Sequence, residues 1–239
     1  MTGRHLPGLG IIMLDTQFER PPGDVGNART WPFPTLFHIV RGATVPKVVG
    51  GDDSDLLDAF VAGGETLAER GAIGLITSCG FLAAHQEVLA ARMRLPLATS
   101  SLLQIPIVAR CLPRGKRVGV VTYDADALGA RHFAAVGVAP DTPVIGLPRD
   151  GALHGLIERG EQLRLKDVER EVVESVRQML TARPDVGAIV LECTNLPPYA
   201  AAVRRTFDIP VFDVVTMGSW FYGGLVERHF ARTISEGPA

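Results

Sequence analysis

The sequence predicts an α/β fold made of two pseudo-symmetric lobes, each a parallel sheet flanked by helices. Apolar runs of four to seven residues alternate with helical patterns along the 239-residue chain, and such runs are typical of strands buried on both faces of a parallel sheet. The order of elements in the second half repeats the order in the first. Two of the apolar runs end on a cysteine, and these residues, Cys79 and Cys193, lie almost half the chain apart.

The first half begins with a glycine-bearing apolar run and continues as an alternation of strands and helices. Strands are predicted over residues 8–14, 36–40, 45–49, 72–77 and 96–98. Residues 16–35 are rich in Pro, Gly and Asn, which predicts a long ordered loop that serves as a lid or an interface. Helices are predicted from a cap at Asp53 or Ser54 to a stop at Gly71, and over 81–93 and 101–110.

The second half repeats this rhythm from residue 116 onward. Strands are predicted over residues 116–123, 143–147, 186–192 and 209–215. Helices are predicted over residues 126–135, 165–183, 198–207 and 217–231. We expect residues 1–105 together with 216–239 to form the first lobe, and residues 106–215 to form the second.

Composition excludes several classes of function. The net charge is −2, without a block of like charges, so neither a nucleic-acid groove nor a basic membrane patch is expected. No window offers about 18 apolar residues for a membrane span, and the apolar run near the N-terminus, which meets Asp15, is too short for a signal peptide. Three cysteines without metal-binding spacing predict reduced thiols, no structural zinc site and a cytoplasmic location.

The two cysteine motifs, ITSCGF at 76–81 and LECTNLPPY at 191–199, carry the chemical signal of the sequence. Each cysteine follows a predicted strand, where ligands of parallel sheets bind, and begins a helical region. Free N–H groups there are expected to lower the thiol pKa and to bind a carboxylate. Two such thiols across one carbon form a two-base proton-transfer site, whereas a lone cysteine after a strand is usually a small buried side chain. Cys111 is interpreted as structural.

The motifs TSCGF and LECTNLPPY, with GKRVGVVTYD opening the second half, resemble the aspartate/glutamate/hydantoin racemase superfamily. The resemblance spans most of the chain. It implies two lobes with the active site in the cleft between them, no cofactor, a small carboxylate or carbonyl substrate and a homodimer. It also implies catalytic roles for Cys79 and Cys193. Gly80 and Phe81 stand where aspartate and glutamate racemases commonly have Asn and Thr, which disfavours those two substrates.

Further residues are expected to bind the substrate because they adjoin the cysteines or end the matching strands. They are Asp15, Ser78, Gly80, Phe81, Thr122, Tyr123, Thr194 and Asn195. For most of them helix capping, turn formation or packing is the competing interpretation. Glu192 precedes Cys193, and strand alternation turns its side chain away from that of the cysteine, so we expect it to form a salt bridge.

The sequence therefore predicts a cofactor-independent racemase or epimerase without a metal, in which the two cysteines exchange acid and base roles. The resemblance leaves two other reactions open, a cis–trans isomerisation of the maleate isomerase type and a decarboxylation of the arylmalonate type. A protein of another class, a non-catalytic small-molecule binder with the same fold, is the remaining alternative.

Overall fold

A computed structural model describes residues 6–227 of the chain. Its strands are β1 (Gly8–Leu14), β2 (Thr35–Val40), β3 (Ala72–Thr77), β4 (Leu97–Ala98), β5 (Arg117–Thr122), β6 (Val144–Gly146), β7 (Val186–Leu191) and β8 (Val211–Phe212). Its α-helices are α1 (Val45–Gly50), α2 (Leu57–Glu69), α3 (Gln86–Arg92), α4 (Ile105–Cys111), α5 (Ala130–Ala134), α6 (Ala152–Glu158), α7 (Leu165–Ala182), α8 (Ala200–Phe207) and α9 (Val214–Leu225).

The described residues form two four-stranded sheets of matching topology. The strand orders are β2-β1-β3-β4 and β6-β5-β7-β8, and every pairing is parallel. The central strands are buried along nearly their whole length, as helices on both faces require. The predicted α/β fold with two pseudo-symmetric lobes is confirmed. The exact lobe boundaries stay a prediction.

The predicted strand at residues 45–49 is wrong, because this segment forms helix α1. Pro46 lies in the first turn, where a missing N–H costs nothing, and Gly51 ends the helix in the left-handed conformation with φ 77°. A short apolar run fits a strand or a buried helix equally well by periodicity, so the sequence pattern alone could not separate the two.

Other helices differ from the prediction mainly at their ends. The segment after Cys79 is a 3₁₀-helix over Gly80–His85 before α3 begins, and the helix predicted over 126–135 is reduced to α5. Helix α6 was not predicted. Helix α9 begins earlier than expected because the Asp213 side chain accepts hydrogen bonds from the N–H groups of Val215 and Thr216. Part of the helix predicted over 217–231 lies outside the described residues.

The two lobes meet directly at the segments that carry the cysteines. The Thr194 hydroxyl donates to the Ser78 carbonyl at 2.7 Å, and the buried Ser101 hydroxyl donates to the Leu191 carbonyl at 2.8 Å. The carboxyl ends of β3 and β7 are therefore held against each other, which places both cysteine motifs at one interface. Within the described part of the chain, none of the helices combines the length and apolar character that a membrane span needs.

Candidate active site

Cys79 and Cys193 line one small cavity between the lobes. Its volume is about 30 Å³, which is close to the room that one water molecule occupies. The described residues that line it are Leu14, Thr16, Phe18, Arg20, Val45, Val49, Ser78, Cys79, Phe81, Tyr123, Ile157, Cys193 and Asn195. The structure thus brings both predicted catalytic cysteines together with four of the predicted substrate-binding residues, Ser78, Phe81, Tyr123 and Asn195.

A larger pocket of about 450 Å³ lies outside this cavity. Thr16, Phe18, Val45 and Ile157 line both spaces, so their side chains form the wall between them. Asp15, predicted to bind substrate, lines only the outer pocket. Its carboxylate accepts hydrogen bonds from Arg41 Nη1 at 3.2 Å and from the Gly42 N–H at 3.1 Å, which is the turn-capping alternative.

The expected low thiol pKa is not what the structure shows. Burial, followed by the charge of Glu192, raises the pKa of Cys79 to about 12, although the N–H groups of Phe81 and Leu82 favour the thiolate. The pKa of Cys193 is also raised, by burial first and then by Glu192, against the N–H of Asn195. Removal from water outweighs the helix-start donors because few groups replace the lost hydration. Both cysteines therefore rest as neutral thiols.

The loop over residues 16–35 reaches across from the first lobe to Cys193. The Cys193 thiol donates to Asn195 Oδ1 at 3.6 Å, and Asn195 Nδ2 donates to Asp24 Oδ2 at 2.6 Å. Asp24 is almost fully buried, and the neighbouring Val25 N–H donates to the Thr194 carbonyl at 3.3 Å. Residues of this loop line the cavity and contact the second lobe, so the loop forms part of the lobe interface, and its role as a lid stays a prediction.

Arg20 on the same loop brings a positive charge to the cavity wall. Its guanidinium donates to Asp24 Oδ1 and to Thr16 Oγ1, each at 2.8 Å, and lies 4.4 Å from the centre of the Phe18 ring. These bonds use two of the five N–H donors of arginine. Arg20 is therefore a candidate group for holding a substrate carboxylate.

Sequence analysis missed Arg20 and Asp24 as site residues. The motif FERPPGDVGN contains both at a spacing of four, with the turn residues between them. An Arg and an Asp four positions apart suggest an ion pair on a helix, but the two prolines between them rule a helix out. An ion pair held by a turn was therefore the signal that could have pointed to these two residues.

Three predicted substrate-binding residues lie next to the cavity without lining it. Thr122 donates to Glu192 Oε2 at 2.7 Å, Thr194 donates to the Ser78 carbonyl, and Gly80 packs against Glu192. Thr194 and Gly80 join the two cysteine segments, whereas Thr122 bonds within the second lobe. Glu192 itself forms no ion pair among residues 6–227, so the predicted salt bridge is wrong; its partner is the Thr122 hydroxyl.

Tyr123 connects the cavity to a second cluster of polar side chains. Its hydroxyl donates to Glu158, and its ring stacks on that of His154 with the centroids 3.9 Å apart. Burial, followed by this hydrogen bond, raises the Tyr123 pKa, so the phenol stays neutral. Tyr123 thus presents an uncharged aromatic wall to the cavity.

Replacing Gly80 with alanine is expected to destabilise the protein by about 1–3 kcal/mol, as overpacking of a filled interior does. A Cβ there would lie 2.1 Å from Glu192 Oε1 and 2.5 Å from the Glu192 carbonyl oxygen. Urea denaturation measures the effect. The matched control is Gly50→Ala, where an added Cβ meets nothing within 4 Å. Equal stability of the two variants would show that Gly80 is not tightly packed.

Comparison with solved structures identifies the fold. Unliganded arylmalonate decarboxylase superposes with a TM-score of 0.63 at 20% identity, over 95% of this chain and 96% of that one. Allantoin racemase from Pseudomonas fluorescens superposes with a TM-score of 0.57 at 16% identity, over 91% and 90% of the chains. The chain has the fold of the aspartate/glutamate/hydantoin racemase superfamily. The predicted superfamily fold is confirmed, and no protein-family model matches the sequence.

Sequence relatives correct the predicted activity of this racemase-superfamily fold. A dimethylsulfoniopropionate lyase of Durusdinium sp. clade D is 28% identical over 92% of this chain and 75% of its own length. Dimethylsulfoniopropionate lyase 7 of Emiliania huxleyi is 26% identical over 93% and 68%. These relatives are enzymes, but they are lyases. The predicted racemase activity and isomerase class are therefore wrong.

Proposed function

We propose that this protein is a lyase that cleaves dimethylsulfoniopropionate into dimethyl sulfide and acrylate. The observation that carries the proposal is a small cavity lined by two thiols, three aromatic rings and one arginine. The named relatives support the substrate, although this chain spans between 45% and 75% of the length of the first three.

The reaction needs one base. The substrate carries a carboxylate at one end and a dimethylsulfonium group on the carbon β to it. A thiolate removes the proton from the carbon next to the carboxylate, the resulting electron pair forms the new double bond, and the carbon–sulfur bond breaks. Its electrons leave on sulfur, which becomes neutral dimethyl sulfide. The products are acrylate and the proton now on the cysteine.

The cavity lining fits a sulfonium better than an ammonium group. None of the described residues that line it is acidic, whereas Phe18, Phe81 and Tyr123 present aromatic rings. An ammonium group has N–H donors that must be paired when buried. A sulfonium has no such donors, and aromatic faces attract its charge. This difference also accounts physically for why an amino-acid racemase is not supported.

The carboxylate end of the substrate is assigned to Arg20. Arg20, Thr16 and Ser78 all line the cavity, and the Arg20 guanidinium donates to the Thr16 hydroxyl while keeping other N–H donors free. A charge-assisted bond to the carboxylate also stabilises the enolate-like charge that develops as the proton leaves. Because the present cavity holds about one water, the shared wall with the outer pocket must part to admit the substrate.

Cys193 is assigned as the base. The Asn195 N–H faces its sulfur and favours the thiolate, and Asn195 is itself fixed by Asp24. Binding of the substrate is what completes the activation of the Cys193 thiol. Its positive sulfonium, buried beside a neutral thiol, favours ionisation of that thiol. Cys79 lines the same cavity and supports the bound substrate.

Incubating the protein with dimethylsulfoniopropionate is expected to release dimethyl sulfide and acrylate in equal amounts, measured by gas chromatography and proton NMR. A reaction without protein corrects for spontaneous alkaline elimination. Substrate recovered from deuterated water should be examined for exchange at the carbon next to the carboxylate. Exchange without release of dimethyl sulfide, or no reaction at all, would contradict the proposal.

A further inference from the structure

Glu192 is a buried carboxyl group that the proposed reaction does not use. It lies at the end of β7 with no exposed surface. Its Oε2 accepts a hydrogen bond from Thr122 at 2.7 Å, while its Oε1 has no partner among residues 6–227. Buried polar atoms are nearly always hydrogen-bonded, so this unpaired oxygen calls for a physical reason.

The unpaired oxygen packs between the two cysteine segments. Glu192 directly precedes Cys193, and a Cβ on Gly80 would lie 2.1 Å from Oε1, so the carboxyl also touches the residue that follows Cys79. Glu192 does not line the cavity and donates to neither sulfur. Its influence on the thiols is therefore electrostatic rather than by contact with the substrate.

The groups that face this carboxyl leave its negative charge uncompensated. The titratable groups that its charge reaches are the two thiols, since the Glu192 carboxylate raises the pKa of both Cys79 and Cys193. Asp53 acts on Cys79 and Asp24 acts on Cys193, both as negative charges. Burial raises the Glu192 pKa to about 7, with the Thr122 hydrogen bond opposing it.

We propose that Glu192 is a positioning residue that competes with the cysteine thiols for the single negative charge this buried site can hold. Ionised Glu192 disfavours a thiolate beside it, and a thiolate keeps Glu192 protonated. The active form has the charge on sulfur and the proton on Glu192. Glu192 thereby sets the pH above which activity stops rising. This inference rests on the proposed thiolate-dependent lyase reaction.

Competition for one charge gives a particular pH profile. At low pH both groups are protonated, and the active form increases about tenfold per pH unit. Once Glu192 has ionised, the proportion of molecules with the charge on sulfur no longer depends on pH. Activity in the wild-type protein should therefore level off near pH 7, where Glu192 titrates, far below the titration of either thiol.

Glu192→Gln tests the inference because the amide can accept the Thr122 hydrogen bond but cannot ionise. Below pH 7 we expect kcat/KM within about twofold of wild type. Above pH 7 it should keep rising about tenfold per pH unit while wild type stays level. Thr122→Val, which keeps the carboxyl and removes its hydrogen bond, should move the wild-type plateau to higher pH. An unchanged plateau in both variants would overturn the inference.

Stability provides a readout that does not depend on activity. Folded Glu192 keeps its proton up to about pH 7, whereas the unfolded chain loses it near pH 4.5. The folded state binds more protons in this window, so wild-type stability should fall as pH rises through it. In Glu192→Gln that fall should be smaller. If stability falls equally in wild type and in Glu192→Gln, the inference is overturned whether or not the lyase assay succeeds. If the fall is smaller in Glu192→Gln but no lyase activity is found, the proposed function alone is contradicted.

Discussion

Replacing Cys193 with alanine is expected to lower kcat/KM for dimethylsulfoniopropionate cleavage by about 1000-fold, in the middle of the range for loss of a general base. Among the described residues that line the cavity, Tyr123 is held neutral and none is acidic, so Cys79 is the one other thiol there. Alanine leaves the small cavity slightly larger and keeps its apolar character. The loss should appear in kcat, because the thiolate acts in the transition state.

The other two cysteines provide matched controls for this substitution. Cys79→Ala removes a thiol from the same cavity and should cost on the order of tenfold, because elimination needs one base and not two. Cys111→Ala should leave activity unchanged, since Cys111 is exposed at the end of α4. If Cys79→Ala were the inactive variant and Cys193→Ala the active one, the assignment of the base would be wrong.

The fold could be predicted because its signals are local. Buried strands such as β1 and β7 are continuous apolar runs, and helix α7 shows a long polar face with acidic and basic side chains. Two lobes followed from the repeated order of these elements. The strand predicted over residues 45–49 was wrong because so short a segment, VPKVV, does not distinguish strand from helix, and only the proline in its first turn pointed to helix α1.

The two cysteines could be predicted as one site because the parallel strands of each lobe bring their carboxyl ends to one edge, and the two edges meet at the lobe interface. Arg20 and Asp24 could not be, because a loop without periodicity gives no indication of where its side chains point. Their positions depend on Asp24 bonding Asn195 across the lobe interface. The homodimer, the cytoplasmic location and the roles of the predicted site residues stay predictions.

The chemical class was mistaken for a related reason. A thiol at a helix start suggests a thiolate, but its pKa depends on burial, and the sequence does not show that both thiols are buried beside Glu192. Neutral resting thiols suit a substrate that brings its own positive charge. The same pair of cysteines on the same fold can thus serve an elimination, because removing the α-proton is the step that both reactions share.

Replacing Arg20 with methionine is expected to raise KM for dimethylsulfoniopropionate by about 10- to 100-fold, the range for losing a hydrogen bond to a charged group. Methionine keeps the length of the side chain and its contact with Phe18 while removing the charge. Because the carboxylate is held in the ground state as well as in the transition state, the larger part of the effect should fall on KM. Steady-state kinetics with dimethyl sulfide detection measures it.

Two comparisons separate carboxylate binding from a general loss of structure. Arg41→Met removes another arginine that pairs with an aspartate, but its side chain is 77% exposed and does not line the cavity, so KM should not change. With the methyl ester of the substrate, which has no carboxylate, wild type and Arg20→Met should perform alike. If Arg20→Met raised KM for the ester as much as for the acid, Arg20 would be acting through Asp24 and Asn195 on Cys193 rather than on the substrate.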